Sequence, residues 1–108
     1  MNVDLTLDQS LNIGPEVTLA EGLTKHVKIG SVKVIREVRQ KMKDIPYRFA
    51  FCVGREKRKL GDEEVDFPAI EASYREAFGM VLVEGLTDEE YENANVQELD
   101  TLLDRFLY

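Results

Sequence analysis

The sequence predicts a small α+β domain, mostly α, with a short N-terminal β-hairpin. Three observations carry this. Four helix starts stand in a row, at Ser31, Asp66, Thr87 and Asn95. Behind them apolar residues recur at 3,4,3 spacing, the repeat of one helical face. Ahead of them, Val17-Thr18-Leu19 and His26-Val27-Lys28-Ile29 alternate apolar and polar residues, as a strand with one wet face does. A length of 108 residues fits one domain.

Residues 1–15 hold a brief alternation, Val3-Asp4-Leu5-Thr6-Leu7, then polar residues up to Gly14-Pro15, and read as a flexible N-terminal segment. Residues 16–108 form the single helical domain. Within it, Ala20-Glu21-Gly22 supplies the turn of a hairpin over 16–30. A helix is the competing reading there, because Thr18 and Glu21 have capping-box spacing and Leu19, Leu23 and Val27 are four apart. Ser31 caps a helix that runs to about Lys43. Ile35, Val38, Met42 and Ile45 share one of its faces, and Lys33, Arg36, Arg39, Lys41 and Lys43 occupy the others. Pro46 disfavours helical geometry at Ile45 and ends it.

Residues 47–53 stay open between two forms. Tyr47, Phe49, Phe51 and Val53 alternate as in a strand, while Asp44 and Pro46 suit the start of a helix. A charged stretch over 54–61 and an acidic loop, Asp62-Glu63-Glu64, follow. Asp66 and Pro68 open the next helix, with Ile70, Tyr74, Ala77, Phe78 and Val81 on one side and Glu71 and Arg75 as an i,i+4 pair on another. Gly79 reads as a place of close helix crossing and Gly85 as the stop. Thr87…Glu90 and Asn95…Glu98 are two capping boxes eight residues apart, which implies a sharp bend between short helices. The last helix carries Val96, Leu99, Leu103 and Phe106, with Leu102 and Leu107 widening the stripe.

Charge is segregated along the chain. Between Lys25 and Lys59 lie 12 of the 14 Lys and Arg and three acids, Glu37, Asp44 and Glu56, a formal +9. The remainder holds two basic and 18 acidic residues, a formal −16, and the net charge is −7. Such a chain can pair with itself, with a neighbouring copy, or with a partner of either sign. Net acidity argues against nonspecific nucleic-acid binding by the whole chain. No apolar run approaches the ~18 residues of a membrane span, and the N-terminus lacks the pattern of a secretory signal. The single Cys52 forms no internal disulfide and sits in an apolar run, as a buried inert thiol does. These features fit a reducing cytoplasm.

No catalytic signature emerges. His26 is the sole histidine, and with only Cys52 as a further soft ligand it reads as solvated or at the hairpin edge rather than as a metal ligand. Asp62-Glu63-Glu64 lacks the spacing of a calcium loop, and Asp88-Glu89-Glu90 is accounted for by capping and the helix dipole. No P-loop, dinucleotide fingerprint or nucleophile elbow occurs, so neither a cofactor nor a metal is called for. Arg48-Phe49-Ala50-Phe51-Cys52-Val53 is similar to the aromatic strand of the RNA-recognition motif, where rings stack bases. The glycine after its basic position is missing, however, and no second strand–helix–strand pattern follows. The aromatics then read as core or partner-facing side chains. Tyr47, Phe49 and Phe51, with Leu99, Leu103 and Phe106 of the last helix, are the candidate partner-binding residues.

Val17-Thr18-Leu19-Ala20-Glu21-Gly22 with Val27-Lys28-Ile29, placed before a helical body, resembles the "V-x-L-x-x-G … V-x-I" segment of tail assembly chaperones of long-tailed bacteriophages. Gly85-Leu86-Thr87-Asp88-Glu89-Glu90, followed by Leu99 and by Leu102-Leu103-Asp104-Arg105-Phe106-Leu107, is similar to that family's C-terminal pattern. The resemblance spans roughly residues 16–107. It implies a non-catalytic protein in the infected cytoplasm that coats the aggregation-prone tape-measure protein before the tail tube polymerises. It also implies a weak homo-oligomer. Lys33, Arg36, Arg39, Lys57, Arg58 and Lys59 are the candidate self-association residues, meeting the acidic C-terminal half of a neighbouring copy. A small regulatory or adaptor domain that binds a host protein is the alternative.

Overall fold

The computed structural model describes residues 13–107. The expected flexible N-terminal segment lies outside the described residues for 1–12, and from Ile13 onward the chain is already strand. β1 (Ile13–Ala20) and β2 (Leu23–Lys28) form an antiparallel hairpin, which excludes the helical alternative for this stretch. Gly22 takes φ 77° in the Glu21-Gly22 turn, a conformation that side chains with a Cβ resist. A register shift brackets Gly14-Pro15 in β1, where Pro15 has no N–H for the ladder.

Alternation decides what the hairpin buries. Val17, Leu19 and Val27 enter the core. Lys25 shares that inward side of β2 and is 8% exposed. Its stem is buried while its ammonium reaches Glu90 at 2.9 Å.

α1 (Val32–Met42) follows, with Ser31 Oγ accepting from the Val34 amide. α2 (Phe49–Cys52) is one turn long. β3 (Arg58–Leu60) and β4 (Glu63–Val65) pair as a second hairpin. α3 (Phe67–Val81) is the central helix and packs against α1, α2 and α5. α4 (Asp88–Asn93) and α5 (Val96–Leu107) complete the chain. The main core gathers Val17, Leu19, Val27, Val38, Phe49, Ala77, Phe78, Val81, Leu82, Leu86, Leu99, Leu102 and Leu103. A smaller cluster of Cys52, Val65 and Phe67 lies under Tyr47, Leu60 and Ile70.

The helix starts follow the caps. Asp66 Oδ1 accepts from the Ala69 amide, and Thr87 and Glu90 satisfy each other's amides as a full capping box. Asn95 differs from the expected second box. Its side chain accepts from Gln97 and Glu98, but its own amide donates to Leu19 O at 2.5 Å. The bond that Glu98 would have received instead fastens β1 to the start of α5.

Three local expectations are corrected. The acidic loop at 62–64 is half of a hairpin turning on Gly61-Asp62, with Lys59 opposite Glu64. The Glu71–Arg75 pair gives way to tertiary contacts. Glu71 accepts from the Gly54 amide and the Tyr91 hydroxyl, while Arg75 donates to Leu86 O and Asp88. α3 ends at Val81, ahead of Gly85, because Leu82 turns extended and bridges Val27 while the Val83 amide donates to His26 O.

Gly79 does not mark a close crossing. A Cβ built there meets only the end of Arg75, at 3.7 Å. A close approach lies instead at Gly30, where a Cβ would lie 2.7 Å from the Phe106 ring and 2.9 Å from Ile35. With room available and helical geometry already in place, Gly79→Ala should raise stability by roughly 0.5–1 kcal/mol. A urea titration checks this, and a lower midpoint for the variant would contradict it.

Candidate functional site

Of the six candidate partner-binding residues, three are core. Phe49 is 1% exposed, Leu99 1% and Leu103 6%, so none offers a surface to a partner. Phe106 is half-buried against Gly30 and Ile35, and Tyr47 is half-buried over the smaller cluster. Phe51 alone is exposed, at 42%. The physical reason is that 47–53 contains a helical turn rather than a strand. Residues two apart in a helix point about 200° apart, so burying Phe49 sends Phe51 outward.

This geometry also removes the platform of an RNA-recognition motif. Phe49 and Phe51 point to different sides instead of sharing one face. The Phe51 ring already stacks on Tyr47, with centroids 5.4 Å apart, and carries the Arg55 guanidinium 4.2 Å from its centroid.

The six candidate self-association residues are all exposed. Lys33, Arg36 and Arg39 lie along the outer side of α1, and Arg58 and Lys59 lie on β3. Lys57 reaches Asp66 at 3.7 Å. Much of the remaining basic block meets acids of the same chain. Lys25 pairs with Glu90, Lys41 with Glu76, and Arg48 with both Asp100 and Asp104. The structure thus uses part of the charge segregation to join its own halves.

Arg48 sits in the most structured of these clusters. Its Nε donates to Asp100 Oδ2 at 3.0 Å and its Nη2 to Asp104 Oδ2 at 2.9 Å. Hydrogen bonds to Asp104 and then Asp100 push its pKa further up, so it stays charged. Asp100 Oδ1 also accepts from the Ala50 amide, which caps α2 from α5. A shallow cavity of about 190 Å³ adjoins the cluster, lined also by Met42, Ile45, Tyr74 and Leu103. Every charged group there is paired and the Tyr74 hydroxyl donates to Tyr47 O at 2.6 Å, so the cluster reads as a structural joint.

Cys52 is fully buried and burial pushes its thiol pKa up, which withholds both access and the reactive thiolate. Burial, reinforced by Glu71, also raises the Tyr91 pKa. Among the described residues no group of three or more His, Cys, Asp and Glu gathers to hold a metal, and no helix is long and apolar enough to cross a membrane. One surface stands out, the outer side of α1, where Val32 is 71% exposed among basic side chains. Helical spacing shows the basic row in the sequence. Val32 carries no such signal, because it is a first-turn residue whose neighbours only the fold reveals.

His26 is a second feature, joining hairpin to body. Its Nδ1 lies 2.6 Å from Glu84 Oε2, its amide donates to Glu84 Oε1 at 2.9 Å, and its Nε2 lies 3.5 Å from Glu16. The hydrogen bond to Glu84 raises the His26 pKa above 6.5, outweighing partial desolvation. Burial works to raise the Glu84 pKa, but the hydrogen bonds from the His26 side chain and amide prevail and leave it below 4.5.

No family model, characterised protein or solved structure matches the chain.

The sign of the pH dependence follows from His26 and Glu84. The raised His26 contributes fully below its unfolded value of 6.5, and that contribution is lost as pH rises through the folded value. The lowered Glu84 contributes above 4.5, and that is lost as pH falls through its folded value. The joint is strongest between the two. Raising the pH from about 6 to about 9 should lower the urea midpoint of the native chain more than that of His26→Gln. Parallel pH profiles would show that His26 contributes nothing.

Proposed function

We propose that the chain is a non-catalytic protein-binding domain and, within that class, a tail assembly chaperone that holds the tape-measure protein in the infected cytoplasm. The observation that carries the binding reading is the outer face of α1, where apolar and basic side chains stand exposed together while the one thiol is buried. The chaperone reading is supported by the resemblance of 16–107 and by the order of elements, a short β-hairpin before a helical body. The expected client surface over 47–53 and 96–107 is not what supports it, since three of its six candidate residues, Phe49, Leu99 and Leu103, are core.

A second reading, a small adaptor that binds a host protein, draws on exposed carboxylates at Asp62, Glu63, Glu64, Asp88, Glu89 and Glu92. Gene order separates the two, because a chaperone gene belongs between those of the tail tube and the tape measure.

Co-expression with the tape-measure protein of the same genome tests the proposal. The client should stay in the supernatant and co-purify with the chain, and should aggregate when expressed alone. A client that precipitates equally with and without the chain would overturn the chaperone reading.

A further inference from the structure

The structure assigns the outer face of α1 as a docking site for an acidic amphipathic helix of a partner protein. The assignment rests on the protein-binding reading and gives that reading a place and a chemistry.

α1 turns Val38 fully into the core and packs Val34 and Met42 beside it. On its other side Val32, Ile35, Arg36, Arg39, Gln40 and Lys43 line an open groove of about 440 Å³. These positions run the length of the helix, ~16 Å for eleven residues. Three turns of a second helix laid alongside match that length. Exposed Ile29, at 57%, precedes the groove on the chain.

The lining sets the partner's chemistry. Arg36 and Lys43 make no ion pair among the described residues, whereas Lys41 on the adjoining flank is bound to Glu76. An acidic side chain on the partner would give both cations a counter-charge. The methyl groups of Val32 and Ile35 gain only from an apolar stripe beside those acids. Glu37 lies on the adjoining flank, with Lys41 and the groove's own Arg36 and Gln40, and does not itself line the Val32 groove.

Two other occupants fit less well. A nucleic acid brings phosphates for the cations but no aliphatic stripe to cover Val32 and Ile35. A second copy of this chain has no matching element to offer among the described helices. The acidic α4 has six residues, with Glu90 engaged by Lys25 and Asp88 by Arg75, and α5 buries Leu99, Leu102 and Leu103 in its own core.

The test uses the isotopically labelled full chain and two synthetic helices of about 18 residues, ~27 Å long. Both carry one leucine stripe, with Glu at the polar positions of one and Lys at those of the other. The Glu peptide should shift amide resonances of residues 32–43, and the Lys peptide should not. Arg36→Glu with Lys43→Glu should weaken the Glu peptide by about tenfold or more and admit the Lys peptide. Val32→Ser should weaken binding several-fold. These side chains are exposed, and circular dichroism confirms that each variant is folded.

Shifts centred elsewhere, equal binding of both peptides, or indifference to the charge reversal would overturn the assignment. So would a uridine oligonucleotide that shifts 32–43 in place of the peptide. The chaperone reading fails separately. If the Glu peptide docks on α1 but the tape-measure protein still precipitates, the site stands and that reading falls. If the client is held soluble regardless of the charge reversal, the reading stands and the site falls.

Discussion

The burial of one ring, Phe49, organises this molecule. It belongs to α2, a single turn that could not persist alone, because helix nucleation is unfavourable and four residues return little for it. The ring meets Phe78 edge-on at 4.9 Å, Tyr74 at 5.6 Å and Tyr91 at 6.2 Å. Those partners come from α3 and α4, while α5 supplies Asp100 to the Ala50 amide and to Arg48. One buried side chain therefore sits where three helices converge, and the backbone that carries it is capped by one of them. The smaller cluster beyond Cys52 depends on the same turn, because Cys52 is its last residue.

Charge then fastens what burial has placed. Lys25 reaches α4 from β2, Lys41 reaches α3 from α1, and Arg48 reaches α5 from beside α2. Exposed pairs of this kind are individually worth ~0–1 kcal/mol and weaken with salt. They act more as selectors of arrangement than as sources of stability. Lys25 differs, since it is nearly buried and its loss would leave an inward-facing gap beside Val27. On the outer side of α1, Arg36 and Lys43 make no ion pair among the described residues and stand exposed beside Val32.

How much of this was legible depends on the distance between cause and effect along the chain. The starts at Ser31, Asp66, Thr87 and Asn95 were readable because each cap serves an amide within three residues. The first hairpin was readable from alternation and the Glu21-Gly22 turn. α2 was not, because the acceptor for its Ala50 amide is Asp100, fifty residues away. Its alternating aromatics imitate a strand, and only the tertiary cap settles that Phe49 goes inward and Phe51 outward. The β3–β4 hairpin hid behind charge. Its signal was Gly61-Asp62 between two three-residue runs, with Gly61 at φ 66°. Of the candidate site, the basic row on α1 was legible from helical spacing, whereas the exposure of Val32 depends on where α1 docks.

The most direct test of the organising role of Phe49 is urea unfolding of Phe49→Ala beside Phe51→Ala. The two residues have the same chemistry, lie two positions apart and differ in burial, 1% against 42% exposed. Phe49→Ala should cost about 3–5 kcal/mol or abolish folding. Phe51→Ala, losing surface ring contacts, should cost about 1 kcal/mol or less. Equal losses, or the larger loss at Phe51, would contradict the account.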